Sequence, residues 1–439
     1  MLKKKNILTV VLLCSLSIML GITYSSNKTM LQCLQQEKSQ TVWITVFVHG
    51  AIGSMIERPS ITRYRNLLRD RIDGTLYEKA TRYIRNSNWY EENQPAQSLG
   101  LQKINKLDKH PAVATAKTFD YFDLLINNRH PDKNYYYTYG WHGLASPSKQ
   151  LEVSEQLYES LTKEIQKFKA QNIQPKLRII GFSNGGRVIL QLGLINEKMN
   201  GTLTVDEVML FGTPIHQGMD YLTKYQCFKS IYNFYSNKDF VQKLDLLSEG
   251  SFFSKRTFEN RKNFKVPDKI KQIRITIRRN KTTKKQWGPD EDPRNDFKNP
   301  LIVSGKSNLL RTMSPSHGEM WYFGWSYCGY RDNFPLMPLP ILSLTPIIIN
   351  AIEKQDKSSN NKFLIDLRPQ QNTMLVKYEK SCVTVPFLQE NVFDNVKTLT
   401  YKHMRRKISP KQYHTHIDKL VQKANLSLKR KKSSSIISQ

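Results

Sequence analysis

Acidic residues are the scarce class in this 439-residue chain: 37 Asp and Glu stand against 67 Lys and Arg, a formal net charge of +30. A positive field of that size is felt by anionic lipids, nucleic acids and acidic polymers. Cysteine is scarce as well. Cys14, Cys33, Cys227, Cys328 and Cys382 are too few and too scattered for a metal cage or a dense disulfide framework. One or two bridges are compatible with an oxidising compartment, and the sequence does not pair them. No internal repeat and no nucleic-acid motif is present, so nucleic acid is not expected as a partner. Aromatics are not scarce, at 10% with 39% hydrophobic residues, which excludes a chain disordered throughout. The length suits one large α/β domain with additions.

A long uncharged apolar run, Ile7 to Ile22, is preceded by Lys3-Lys4-Lys5. This is the layout of a secretory n-region and h-region, so residues 1–25 are expected to be a signal peptide or an N-terminal membrane anchor. The protein is expected to be exported: secreted, periplasmic or anchored. At the other end, Thr398 to Gln439 holds eleven Lys or Arg and the single acid Asp418. Lys255 to Lys281 is a second basic stretch. Both read first as solvated charge, with an anionic membrane surface as the alternative partner.

Between these ends, buried-strand and helical patterns alternate. TVWITVFV (Thr41 to Val48) is a continuous apolar, β-branched run of strand length. Asn134 to Trp141 is a similar run. It precedes Ser148 to Ala170, where Leu151, Leu157, Leu161 and Ile165 recur at helical spacing. Lys176 to Ile180 predicts a strand and Arg187 to Leu194 a helix. Val205 to Phe211 and Ser230 to Tyr235 predict further strands, and Ile270 to Ile277 a last, more exposed one. The pattern predicts an α/β fold, a mostly parallel doubly wound sheet with helices on both faces, over residues 38–352. The long connection at 55–133 is expected to form a cap or lid, and 353–439 a basic, partly disordered C-terminal extension.

The chemistry centres on Gly181-Phe182-Ser183-Asn184-Gly185-Gly186. A Ser between a buried strand and a helix, with Gly181 and Gly185 two residues to either side, can occupy a strained turn that lifts its hydroxyl clear of the sheet. A helix N-terminus there favours developing negative charge. The plainer alternative is a Ser capping an ordinary helix.

These features resemble the lipase and esterase branch of the α/β-hydrolase superfamily at four places in the chain. His49-Gly50-Ala51-Ile52-Gly53-Ser54 is similar to its oxyanion loop, and Gly181 to Gly186 to its nucleophile turn. Leu210 to Gly218 is similar to its Gly-Thr-Pro loop, and Tyr235 to Asp239 to the strand end that delivers its acid. The resemblance implies Ser183 as nucleophile, Asp239 as acid with Asp220 as the rival, and His317 as base. His216 is a rival that stands ahead of the acid in the chain, against the family's order of Ser, acid, His. It implies the backbone N–H groups of Ala51 and Asn184 as the oxyanion hole, and a structural His49 that orders its loop with Gly50.

The expected activity is that of a serine hydrolase cleaving carboxylic esters, with a small-molecule or lipid ester as substrate and no cofactor. The rivals are a non-catalytic binding protein on a hydrolase scaffold and a membrane- or nucleic-acid-associated protein acting through its basic tail. The acidic run Asp290-Glu291-Asp292 with Asp296 lacks the spacing of a calcium loop, so it reads as a solvated loop and no metal is expected.

Overall fold

The computed structural model describes residues 42–52, 72–92, 94–127, 133–216, 218–243, 254–280, 310–323, 339–355, 361–378, 381–386 and 392–403, with positions 419 and 422. The N-terminal apolar segment, the Asp290 to Asp296 run and nearly all of the basic tail lie outside them.

Seven strands form a parallel array in the order β3–β1–β4–β5–β6–β7–β9. They are β1 (Trp43–Val48), β3 (Asn134–Gly140), β4 (Lys176–Phe182), β5 (Val205–Phe211), β6 (Phe228–Tyr235), β7 (Ile270–Asn280) and β9 (Lys362–Arg368). Antiparallel strands flank the array. β2 (Gly100–Lys103) pairs with β3, β10 (Thr373–Tyr378) with β9, β11 (Ser381–Pro386) with β10, and β8 (Leu310–Met313) with β7.

Side chains alternate across the pleat, which divides the core into two layers. Phe47, Ile180, Phe182, Met209, Phe211, Phe234, Ile275 and Ile365 face one way, toward Phe119 and Phe122 of a helix at Pro111–Asn127 and Ile348 and Ile352 of one at Thr345–Gln355. Val46, Val48, Ile179, Val208, Leu210 and Ile231 face the other way, toward Leu157 and Leu161 of a helix at Pro147–Lys169 and Val188 and Leu192 of one at Asn184–Lys198. In chain order the helices are α1 (Leu76–Arg85), α2 (Asn88–Glu91), α3 (Pro111–Asn127), α4 (Pro147–Lys169), α5 (Asn184–Lys198), α6 (Met219–Leu222), α7 (Thr345–Gln355) and α8 (Val392–His403). The chain is thus an α/β protein whose largely parallel sheet has helices on both faces, as the alternating pattern predicts.

Three expectations are corrected. Ile270 to Ile277 is neither exposed nor last: β7 lies between β6 and β9, and Ile270, Ile273, Ile275 and Ile277 are fully buried. The described part of 55–133 is not a cap over the sheet: β2 extends the sheet edge and α3 supplies core residues. The extension does not begin at 353, because β9 to β11 continue the sheet and Val392 and Val396 of α8 reach its core. Strand β9 was hard to read because its apolar run, Phe363 to Ile365, is short, is broken by Asp366 before Leu367, and follows a polar linker.

If β9 is integral, Ile365→Ala should destabilise the whole protein by about 2–5 kcal/mol, as Ile179→Ala in β4 should. Urea unfolding measures both; an independent appendage would leave the main transition unmoved by Ile365→Ala.

Candidate active site

Ser183 links β4 to α5 with φ 51° and ψ −129°, the left-handed region that non-glycine residues rarely enter. Its hydroxyl makes no capping hydrogen bond to α5, so the reading of Ser183 as an ordinary helix cap does not hold. The strain is held by close packing. The Ser183 N–H donates to the Phe211 carbonyl at 2.8 Å, and the Gly186 N–H to the Ser183 carbonyl at 3.0 Å. A Cβ on Gly185 would lie 2.5 Å from the His49 carbonyl oxygen and 2.6 Å from that of Val48, and one on Gly50 would lie 2.8 Å from the Ser183 Cβ. A Cβ on Gly181 would lie 2.8 Å from the Gly186 backbone nitrogen, so Gly50, Gly181 and Gly185 are all required on steric grounds.

Asp239 and His317 are brought together. Asp239 follows β6 and is fully buried, and its Oδ2 lies 2.7 Å from His317 Nδ1. The His317 ring sits against Phe182, the residue before Ser183, with centroids 4.6 Å apart. Behind Phe182, Trp321 stacks at 5.3 Å, and its indole N–H donates to Gln94 Oε1 at 3.0 Å. The His317 loop is thus pinned on both sides of the imidazole, since the Ser236 hydroxyl at the end of β6 donates to the Pro315 carbonyl at 2.5 Å.

Asp239 has its own supports, which the sequence did not reveal. The Gln242 N–H donates to Asp239 Oδ1 at 2.9 Å, and the Gln242 side-chain amide donates to the Thr213 carbonyl at 2.7 Å. Arg256 donates from Nε and Nη2 to the Asp239 carbonyl at 3.1 and 2.9 Å, and from Nη2 to that of Asn237 at 2.8 Å. Gly212, at φ 57°, passes so close that its Cβ would lie 2.8 Å from Asp239 Oδ2 and 3.0 Å from His317 Nδ1.

The rivals are placed elsewhere. Asp220 is buried beside Arg261, with 3.2 Å between Oδ2 and Nη1, and burial pushes its carboxyl up to about 6. His216 is buried on the Gly-Thr-Pro loop, where its carbonyl accepts from the Met219 N–H at 3.0 Å. Arg256 and Arg261 also show that part of the 255–281 basic stretch is internal framework rather than solvated charge.

His49 ends β1 wholly enclosed. Its Nε2 accepts from the Trp141 N–H and Arg85 Nε, both at 3.2 Å, so the ring proton resides on Nδ1. Nδ1 faces the Gly50 carbonyl at 2.8 Å and the Tyr90 hydroxyl at 2.9 Å. The Trp141 indole N–H donates to the His49 carbonyl at 2.8 Å. Ala51 stands three residues beyond β1, Asn184 follows directly on Ser183, and the Ile52 N–H donates to the Gly143 carbonyl at 2.8 Å. Arg85, Tyr90 and Trp141 are partners that sequence spacing could not assign, because each comes from a different element.

Among the described residues no cluster of three or more His, Cys, Asp or Glu side chains is placed to hold a metal. Cys227 and Cys382 are free thiols. Comparison with protein-family models, curated proteins and solved structures finds no match to the chain.

Burial, and then the Arg85 charge, hold the His49 imidazole well below its ordinary value of 6.5. An unfolded His49 binds a proton below that pH and the folded one does not, so its contribution to stability is present above pH 6.5 and is lost as pH falls. Urea unfolding at pH 7 and pH 5 should show stability falling with acid. In His49→Phe that slope should shrink, by at most about 1.4 kcal/mol per pH unit, the limit for one proton.

Proposed function

We propose that this chain is a serine hydrolase of the α/β-hydrolase kind, cleaving a carboxylic ester through Ser183, His317 and Asp239. The observation that carries the reading is the 2.7 Å contact between His317 and Asp239, which joins residues 78 apart in sequence next to a strained, uncapped serine.

The proposed roles are those of a Ser-His-Asp triad. Asp239 accepts from His317 Nδ1–H and fixes the tautomer, which leaves Nε2 as the basic nitrogen. His317 then takes the Ser183 proton as Oγ attacks the ester carbonyl, and returns it to the departing alcohol. A water molecule, activated by the same imidazole, hydrolyses the acyl-enzyme. The N–H of Asn184, in the first turn of α5, has no intrahelical acceptor and lies at the positive end of the helix dipole. With the Ala51 N–H it would hold the oxyanion. The buried Asp239 carboxylate, hydrogen-bonded by Gln242, favours the imidazolium that forms in the transition state.

The basic surface supports an ester presented at an anionic membrane, and the N-terminal apolar segment supports export. These extensions rest on charge and sequence layout alone.

A fluorophosphonate probe should label the full-length protein and fail to label Ser183→Ala. Asp239→Asn and His317→Ala should lower ester hydrolysis by about 10³-fold or more. Labelling that survives Ser183→Ala sinks the nucleophile assignment. A folded protein that resists labelling favours a non-catalytic binding protein on the same scaffold.

A further inference from the structure

At the carboxyl edge of the sheet the strand order runs from β4, which carries Ser183, through β1, which carries His49, to β3 and β2. Ligands of open α/β sheets bind along this edge. Beside β3 and β2 opens a cleft of about 630 Å3 with Arg85, Asn86, Glu91, Leu99, Asp108 and His110 in its wall.

His110 is the informative group. It is 6% exposed, and its Nδ1 accepts from the Ala112 N–H at 3.0 Å, capping α3. A capping acceptor nitrogen is unprotonated, so the ring carries its proton on Nε2. That buried N–H has no hydrogen-bond partner. Glu91 Oε2 lies 3.7 Å away, beyond hydrogen-bonding reach. A buried donor left unpaired is costly, and one in a cleft wall calls for a ligand atom.

The chemistry of the wall selects the ligand. An oxygen between His110 Nε2 and Glu91 would accept from the ring and donate to the carboxylate, which is what a hydroxyl does. Asp108 and Asn86 add a further acceptor and an amide, and Leu99 adds an apolar surface. Arg85 is committed elsewhere: Nε donates to the Trp141 carbonyl at 2.9 Å, Nη2 donates to the Gln97 carbonyl, and Nη1 lies 3.6 Å from Glu91. With two carboxylates facing it, the cleft disfavours an anion. With the Arg85 charge and the His110 N–H facing it, it disfavours an ammonium group.

We propose that this cleft binds a neutral polyhydroxylated ligand of carbohydrate type through His110 Nε2–H and Glu91. Because Arg85 contacts both Glu91 and His49, the site adjoins the loop that follows β1. The proposal does not rest on the ester-hydrolase reading.

The test uses the full-length protein, with glucose and maltotriose as probes, and inorganic phosphate and ethanolamine as charged controls, read by saturation-transfer NMR and calorimetry. Sugar binding is expected with a dissociation constant of about millimolar order, the ordinary range for a ligand of about a dozen heavy atoms. His110→Asn keeps a good helix cap while removing the Nε2–H, and Glu91→Gln keeps the shape while removing the charge. Each should weaken sugar binding by about tenfold or more, with the unfolding midpoint and fluorophosphonate labelling of Ser183 unchanged. The proposal is overturned if neither sugar binds, if phosphate or ethanolamine binds more tightly, or if both variants bind sugar as the parent does. Failure of the hydrolase reading would instead show in the labelling of Ser183.

Discussion

The sharp turn at Ser183 exists only because three strand ends and a helix N-terminus approach more closely than side chains allow. β1 ends in Gly50 against the Ser183 Cβ, and α5 begins with Gly185 against the carbonyls of Val48 and His49. β5 supplies the Phe211 carbonyl that accepts from the Ser183 N–H. A residue at φ 51° is unfavourable by about 1–3 kcal/mol, and it persists because the surroundings leave it no alternative. The parallel pairing of β1, β4 and β5 is what delivers those neighbours in register. The turn in turn fixes where everything else has to be: Phe182 must face the layer that holds Trp321, and Asn184 must open α5.

The same constraint explains the buried polar side chains around the turn. Each loop leaving the carboxyl edge of the sheet carries unpaired backbone groups into a crowded region, and each is satisfied by a side chain from elsewhere. The Trp141 indole serves the His49 carbonyl after β1, His49 and Arg85 serve the Trp141 backbone after β3, Gln242 serves the Thr213 carbonyl after β5, and Arg256 serves the Asp239 carbonyl after β6. Ser236 and Gln94 tie down the His317 segment. These side chains are framework for the loops, and they make the site rigid before any substrate arrives.

Much of this was legible in sequence, and the division has a physical cause. Strand β1 is buried on both faces and reads as a continuous apolar run, and β3, β4 and β5 are buried along most of their length. The glycines around Ser183 are local in sequence and so were visible as a pattern. Asp239 and His317 could be placed only by chain order through the family resemblance, and the structure sets them in contact. What could not be read were the long-range supports, since no spacing rule links Arg85 to His49 or Arg256 to Asp239. The outer strands failed for another reason: in β9 the apolar run stops at Ile365, with the buried Asp366 before Leu367, and so short a run beside polar segments gives a weak signal. In the described part of the long connection expected to form a cap, residues 100–103 rejoin the sheet as β2.

The separation of Asp239 from His317 might be thought to weaken their pairing, because 78 residues intervene. Loop-closure entropy grows only with the logarithm of length, so doubling such a connection adds about 0.6 kcal/mol. What decides whether the pair holds is the anchoring of its two ends. Both ends are anchored within a few residues of the contact: Ser236 donates to the Pro315 carbonyl, and Trp321 stacks on Phe182. Between them the intervening chain also contributes β7, whose buried isoleucines fill the sheet next to β6. The connection is therefore held at several points by sheet pairing and core packing. For this site, the local anchors beside His317 matter more than the length of chain that precedes it.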